Sequence, residues 1–571
     1  MASVKSSNCD ESLGNECAIS ISTITSPEVP RQGTIERAIT KKQVKNGRAK
    51  ISYYYSGTKG YFREYCESTT IHGFKYLSEK RSICERILWL LLISLSISAC
   101  GFLISRIYNR FITSPVIVSF ATKESPLYTI PFPAVTICPM TKAKKSVYDF
   151  TRGVYRFKAM RGLAPEEKRN AQYFALLCRY SQIYFYDSGK LSNDFNKIID
   201  QMKLNLSEYT EECQVGENDP EPCENLFQPI ILDEGICYTY NMLDRTAIFR
   251  DEVYRFKDYH KNENTVNWDI DSGYTFNDST PDGSFLNYPN NAYLSGYENG
   301  LHIKFRQLAS ELDYFCSPNS QGFKVSLHAP HVIPQLEKQF FQVPFGDAIM
   351  AAVQPKMTKT SQQVRKYHPD KRECYFSNEK YLRYFKQYTS SNCRLECYTN
   401  YTAKICECVR FYMPKKSSTD ICGMSHICHF TNRVQMQWNS VLKQKETQHT
   451  ATNQNDTSFC DCRRSCVEIN YEVQLSQYAW NYGYMPLARF RDKKKESYRY
   501  ARLSIFFKED FFLTLERNEL YGPIDFLANF GGLLGLFTGF SLLSLAEIVY
   551  FLSVRICCNF RLHKFWTGPK N

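Results

Sequence analysis

Apolar and polar residues alternate in short runs along most of this chain, and two windows break the habit. From Ile87 to Ser105 the run ILWLLLISLSISACGFLIS carries no charge. As a helix rising 1.5 Å per residue it covers about 28 Å, close to the thickness of a bilayer's hydrocarbon core. The second window, Phe526 to Val554, carries only Glu547. A buried core helix is the competing reading of any apolar run. Both windows exceed ordinary globular helix length, and both have basic flanks: Lys75, Lys80, Arg81 and Arg86 before the first, and Arg555, Arg561 and Lys564 after the second. The pattern predicts two membrane-spanning helices with both termini in the cytosol. The first starts too far into the chain for a cleaved signal and reads as a signal-anchor. The expected organisation is a cytosolic segment over 1–85, a span over 86–107, an ectodomain over 108–521, a second span over 522–554 and a cytosolic tail over 555–571.

The first hundred-odd ectodomain residues read as strands and loops, with short apolar alternations broken by Pro, Gly and Asn. Helical periodicity is clearest at Glu166–Tyr180 and Ser361–Tyr367. The stretch Gln435–Ser458, rich in Gln, Asn and Thr, reads as an exposed loop, and there is no internal repeat.

Composition changes this picture in three ways. With 571 residues, 43% of them hydrophobic, wholesale disorder is excluded, and a mean hydropathy of −0.41 is what a large polar region does to two apolar windows. The formal net charge of +13 is spread over three compartments with no nucleic-acid motif, so no nucleic-acid partner is inferred. Finally, sixteen of the 23 cysteines and four glycosylation sequons, at Asn205, Asn277, Asn400 and Asn455, fall between the two windows. That region is expected to be extracellular and disulfide-bonded. The C-x-C and C-x3-C spacings near its end could bind zinc, but an oxidising compartment and the lack of a regular histidine set favour disulfides. Nested bridges there would make a stiff rod. No H-E-x-x-H, G-x-S-x-G or supported carboxylate pair is present, which argues against an ectoenzyme.

The second window is unusual for a span. Gly531, Gly535 and Gly539 recur every four residues, a face that serves close helix packing in many membrane proteins. Glu547 is an ionisable residue at membrane depth, which faces either an aqueous path or the cytosolic interface, with Arg555 two turns away. Gly531 and Glu547 stand about 160° apart around an unbroken helix. Either Glu547 does not line a path, or the helix breaks between them, best at Gly539-Phe540-Ser541. A break there would free carbonyl oxygens that can replace a cation's hydration shell.

Six motifs in order carry a family resemblance: His72-Gly73 in STTIHGFKYL, FPAVTIC at 132–138, GICYTYN at 235–241, CRLEC with CEC at 393–408, CDCRRSC at 460–466, and GGLLGLFTGFSLLSLAEIVYF from Gly531. The chain resembles the degenerin/epithelial sodium channel family over about residues 62–555, and FPAVTICPM with GFSLLSLAE looks most like its insect pickpocket branch. ATP-gated trimeric channels share the two-span plan but not these motifs.

The resemblance implies a homo- or heterotrimer of related subunits in the plasma membrane. Each would have two transmembrane helices flanking a hand-shaped, disulfide-rich α+β ectodomain. It implies an amiloride-sensitive, sodium-preferring cation channel with no cofactor beyond permeant Na+ and no catalytic chemistry. A conducting-poor partner or receptor-like subunit is the alternative.

Motif position assigns the selectivity filter to Gly539, Phe540 and Ser541, the blocker site to Gly535, the extracellular gate to Ala528, an inner pore acid to Glu547 and a cytosolic gating role to His72 and Gly73. Phe540 departs from the Ala or Ser of better-known members and puts sodium preference in question. The resemblance also implies bridges Cys138–Cys237, Cys213–Cys223, Cys374–Cys466, Cys393–Cys462, Cys397–Cys460, Cys406–Cys428 and Cys408–Cys422, leaving Cys178 and Cys316 over. Glu311, Asp313, Asp219 and Glu221 read as solvated loop charges, and the segment Lys356–Arg372 is basic, so strong proton gating is not expected.

Overall fold

The computed structural model describes residues 57–113, 116–159, 164–178, 190–191, 194–254, 256, 266–275, 288–316, 321–423, 461–481 and 498–567. The chain divides into two compact units, Met1–Asn109 with Pro523–Asn571, and Arg110–Gly522.

The first unit is helical. Ile83–Thr113 is one helix of 31 residues, longer than the apolar run that predicts it. Nothing between Arg106 and Thr113 stops a helix, and the first breaker is Pro115. Its leucines point outward, Leu90 at 55% and Leu95 at 68% exposure, the arrangement a lipid environment requires. The second apolar window is not one helix. It runs as Pro523–Thr538, stops for three residues, and resumes as Leu542–Val549. It then passes through a π-helical turn at Tyr550–Val554 and continues as Arg555–His563, past the expected boundary at 554. Arg561 and His563 in the last turn complement the helix dipole.

The second unit is built on two sheets. The larger has the order Val116–Phe120, Leu515–Glu519, Asp347–Thr360, Tyr498–Phe507, Leu301–Leu308, Thr210–Val215, with Glu468–Ala479 also paired to Asp347–Thr360. The smaller has the order Phe341–Pro344, Gly322–His328, Ala134–Pro139, Gly235–Tyr240, Gln228–Leu232. Alternation explains the strands: Leu301–Leu308 turns Ile303, Phe305 and Gln307 inward, where Phe305 stacks on Phe323 of the smaller sheet at 4.2 Å. Val116–Phe120 and Leu515–Glu519 pair antiparallel, Val116 opposite Glu519, so the chain enters and leaves this unit on neighbouring strands.

Three helices, Phe150–Lys158, Pro165–Leu177 and Asp194–Met202, bury Phe150, Phe174 and Phe195 in a cluster of their own. The early ectodomain is therefore more helical than its aromatic, β-favouring composition suggested. In Phe150–Lys158 the informative signal is spacing: Phe150 and Val154, one turn apart, are both buried. The periodic segment at Ser361–Tyr367 shortens to Gln362–Arg365. A 17-residue helix, Ser390–Cys406, begins where the Thr389 hydroxyl accepts from the Asn392 N–H and ends at Glu407 in the left-handed region.

Disulfides join Cys138–Cys237, Cys178–Cys316, Cys213–Cys223, Cys374–Cys466, Cys393–Cys462 and Cys408–Cys422. Cys397 and Cys406 are also disulfide-bonded, while Cys428 and Cys460 lie outside the described residues. So do Asn277, Asn455 and the Gln435–Ser458 stretch; Asn205 and Asn400 are exposed. Asp313 is not a solvated charge. It is buried, and its Oδ1 accepts from the Thr151 hydroxyl at 3.0 Å and the Phe315 N–H at 2.8 Å, the short-range turn bonding to which aspartate is suited.

Candidate functional site

The interruption of the second apolar helix is built by local chemistry. Gly539 sits at φ 66° and its N–H donates to the Gly535 carbonyl at 2.9 Å, the left-handed cap that ends a helix. Thr538 turns its hydroxyl back to the Leu534 carbonyl. Two residues on, Ser541 Oγ accepts from the Ser544 N–H at 3.2 Å while Ser544 Oγ accepts from the Ser541 N–H at 3.0 Å, a reciprocal cap that starts the next helix. Among the described residues, no hydrogen bond reaches the carbonyls of Gly539 and Phe540. One helix is capped shut, the next capped open, and two acceptors lie between them.

The segment around His72 packs onto this break. The His72 N–H donates to the Thr538 carbonyl at 2.9 Å. Its ring lies against Gly539 so closely that a Cβ at 539 would collide with it. Gly73, at φ 89°, approaches Ile93 of the first long helix, where an added Cβ would stand 2.9 Å from Ile93 Cδ1. Gly539 is thus required for conformation and for space, and Gly73 for its positive φ. Tyr76 stacks on Trp89 at 4.2 Å and Ser96 donates to the Phe537 carbonyl at 2.5 Å, fixing the neighbouring helices.

Glu547 is half-buried and held from the same segment. Its Oε2 accepts from the Thr70 N–H at 3.0 Å, the Thr70 hydroxyl at 3.2 Å and the Thr69 hydroxyl at 3.4 Å. Thr70 Oγ1 also lies 2.7 Å from Ser544 Oγ. Arg555 does not serve Glu547; it pairs with Glu64. Tyr61, from the helical stretch 57–68, donates to the Phe551 carbonyl inside the π-helical turn.

His72, Gly73, Gly539, Ser541 and Glu547 therefore meet in one place. Gly535 and Ala528, one turn and further along Pro523–Thr538, do not join it; both are exposed, and the glycine face at Gly531, Gly532 and Gly535 looks into open space. Sequence reading missed Thr69, Thr70, Ser544, Tyr61 and Glu64. Only Ser544 left a trace, as a hydroxyl three residues after Ser541.

Residues 65–551 match the family model described as "Amiloride-sensitive sodium channel". Pickpocket protein 28 of Drosophila melanogaster is 28% identical over 86% of this chain and 78% of its own length. The sodium channel protein Nach of the same species is 25% identical, covering 88% and 89%. Acid-sensing ion channel 2 of Rattus norvegicus is 27% identical over 40% of this chain and 41% of its own.

Proposed function

The chain belongs to the amiloride-sensitive sodium channel family, a family of ion channels and not of enzymes, and from that premise we propose that it is one subunit of a trimeric, gated, sodium-preferring cation channel. The observation that carries the reading is the interrupted helix at Gly539–Ser541, with its two open carbonyls and an acid eight residues further on. Three copies around an axis would present a ring of carbonyl oxygens at the narrowest point and a ring of Glu547 carboxylates beyond it, concentrating cations and repelling anions. Gly535 is assigned to amiloride-type block and Ala528 to the extracellular gate. The plasma membrane, with both termini cytosolic, is the setting.

The contacts made by the 69–73 segment supply a gating part. A segment that touches Thr538, Gly539 and Glu547 at once can bias the pore only if it has a second arrangement. A sensory stimulus, chemical, osmotic or mechanical, would act through that choice.

Oocytes expressing Ala528→Val, recorded in sodium and then potassium baths with and without amiloride, test the reading. A standing inward sodium current removed by amiloride is expected, because a bulkier side chain at the gate hinders closure. Surface expression without current, alone and with sibling subunits, would sink the pore assignment. Current only with siblings would make this an obligate heteromeric partner.

A further inference from the structure

In the unit Arg110–Gly522, a cavity of about 370 Å3 opens where the ends of the two sheets meet, a size typical of small-molecule sites. Phe132 and Tyr240 are buried and set edge to face at 6.2 Å; Tyr293, 55% exposed, stands in the loop beside them. None of the twelve lining residues is charged. The walls are fastened: Gly216 N–H donates to the Gly300 carbonyl, Gly296 N–H to the Phe507 carbonyl, and Ser295 N–H to Asp510 Oδ1 at 2.7 Å.

The polar chemistry inside has a direction. Asn299 Nδ2 donates to the Ser295 carbonyl at 2.8 Å, and because that partner can only accept, the contacting end of the amide is its NH2. Asn290 Nδ2 lies 3.3 Å from the Tyr240 hydroxyl. Each amide is oriented by one contact to the scaffold, and the lining holds no cationic side chain that would receive an anion. The flanking sequence has the same sign: Glu217, Asp219 and Glu221 follow Gly216, Glu298 precedes Asn299, and no Lys or Arg occurs in 215–226 or 288–301.

We propose that this cavity binds a small organic cation, an ammonium-type ligand seated against the aromatic faces of Tyr240, Tyr293 and Phe132 and drawn in by the acidic flanks. Aromatic rings and the acidic flanks attract positive charge, whereas an anion meets no cationic side chain in the lining. The site stands apart from the pore reading and can hold or fail without it.

The test is saturable binding of phenyltrimethylammonium to the full-length chain in nanodiscs, followed by saturation-transfer NMR against its neutral isostere tert-butylbenzene. The cation is expected to bind at least tenfold more tightly. Tyr293→Ala, at an exposed position that tolerates truncation, should weaken binding by about 2- to 30-fold, and Ala292→Trp should abolish it by filling the cavity. Glu547→Gln, whatever it does to current, should leave phenyltrimethylammonium binding unchanged, which separates this site from cation entry into the pore. Equal binding of the neutral isostere, indifference to both cavity variants, no binding at all, or loss of binding in Glu547→Gln would each overturn the proposal.

Discussion

Gly539 is the residue on which the proposed filter turns. Alanine there would have to adopt φ 66°, which costs an L-residue about 1–2 kcal/mol, and would collide with the His72 ring. Gly539→Ala is expected to abolish current in the Ala528→Val background, and adding His72→Ala should restore part of it by relieving the collision but not the strain. Conductance normalised to surface labelling reads both, and equal loss with and without His72 would mean the contact does not matter. Away from the membrane, burial holds His328 and His331 down at about 4. The unfolded chain takes up these protons near 6.5 and the folded one does not, so stability falls as pH drops from about 6.5 toward 4, by about 1.4 kcal/mol per unit for each histidine. Glu234 works in a lower window. Burial opposes its ionisation, but Lys142 and Lys324 overcome this and hold it at about 2, so its contribution is intact above 4.5 and is lost only as pH falls toward 2. Thermal midpoints at pH 7 and pH 5 should therefore differ through the histidines. Among the described residues His331 Nδ1 is buried and finds no hydrogen-bond partner, and the ring packs on Trp268, so His331→Phe should shrink the difference. An unchanged difference would show that this ring already titrates normally in the fold.

At the scale of elements, the sequence was informative where one physical requirement dominates. The uncharged run from Ile87 predicts the long apolar helix Ile83–Thr113, and Gly539, able to take a positive φ, marks where Pro523–Thr538 stops. The helices over 150–158 and 194–202 were missed because propensity outweighed spacing in the reading, although Phe150 and Val154, and Phe195, Ile198, Ile199 and Met202, fall at helical intervals; 390–406, rich in asparagine and cysteine, has no such stripe. The contacts of Thr69 and Thr70 with Glu547 span 478 and 477 positions and have no local signature. The cysteine-rich region makes a quantitative case. Cys408–Cys422 closes 14 residues, worth about 3 kcal/mol by loop entropy, while Cys374–Cys466 spans 92. With Cys393–Cys462 in place, the outer bridge constrains only the short stretches between two rungs. Replacing either pair by serines should therefore cost a similar amount, about 3 kcal/mol, in thermal unfolding of the full chain. A markedly larger loss for Cys374–Cys466 would mean the rungs are not nested in effect. That bridge is also tied to the larger sheet: Thr360 donates to the Cys466 carbonyl, and Arg517 donates to the Ser465 carbonyl at 3.0 Å.

At the scale of the molecule, the unit Arg110–Gly522 has its first and last long strands, Val116–Phe120 and Leu515–Glu519, paired antiparallel with each other. The open glycine face at Gly531, Gly532 and Gly535 is surface a single chain leaves uncovered, and further copies are the proposed cover. The central claim is that ions pass through the break at Gly539–Ser541, lined by three copies of it. Ser541 is exposed at that break, so the direct measurement is cadmium block of Ala528→Val channels carrying Ser541→Cys, compared with Ala528→Val alone. Three cysteines around one axis should trap Cd2+ and stop the current until a chelator is added, while the parent, whose Cys84, Cys557 and Cys558 are exposed elsewhere on the chain, stays open. A conducting Ser541→Cys channel that ignores cadmium would place the ion path somewhere else.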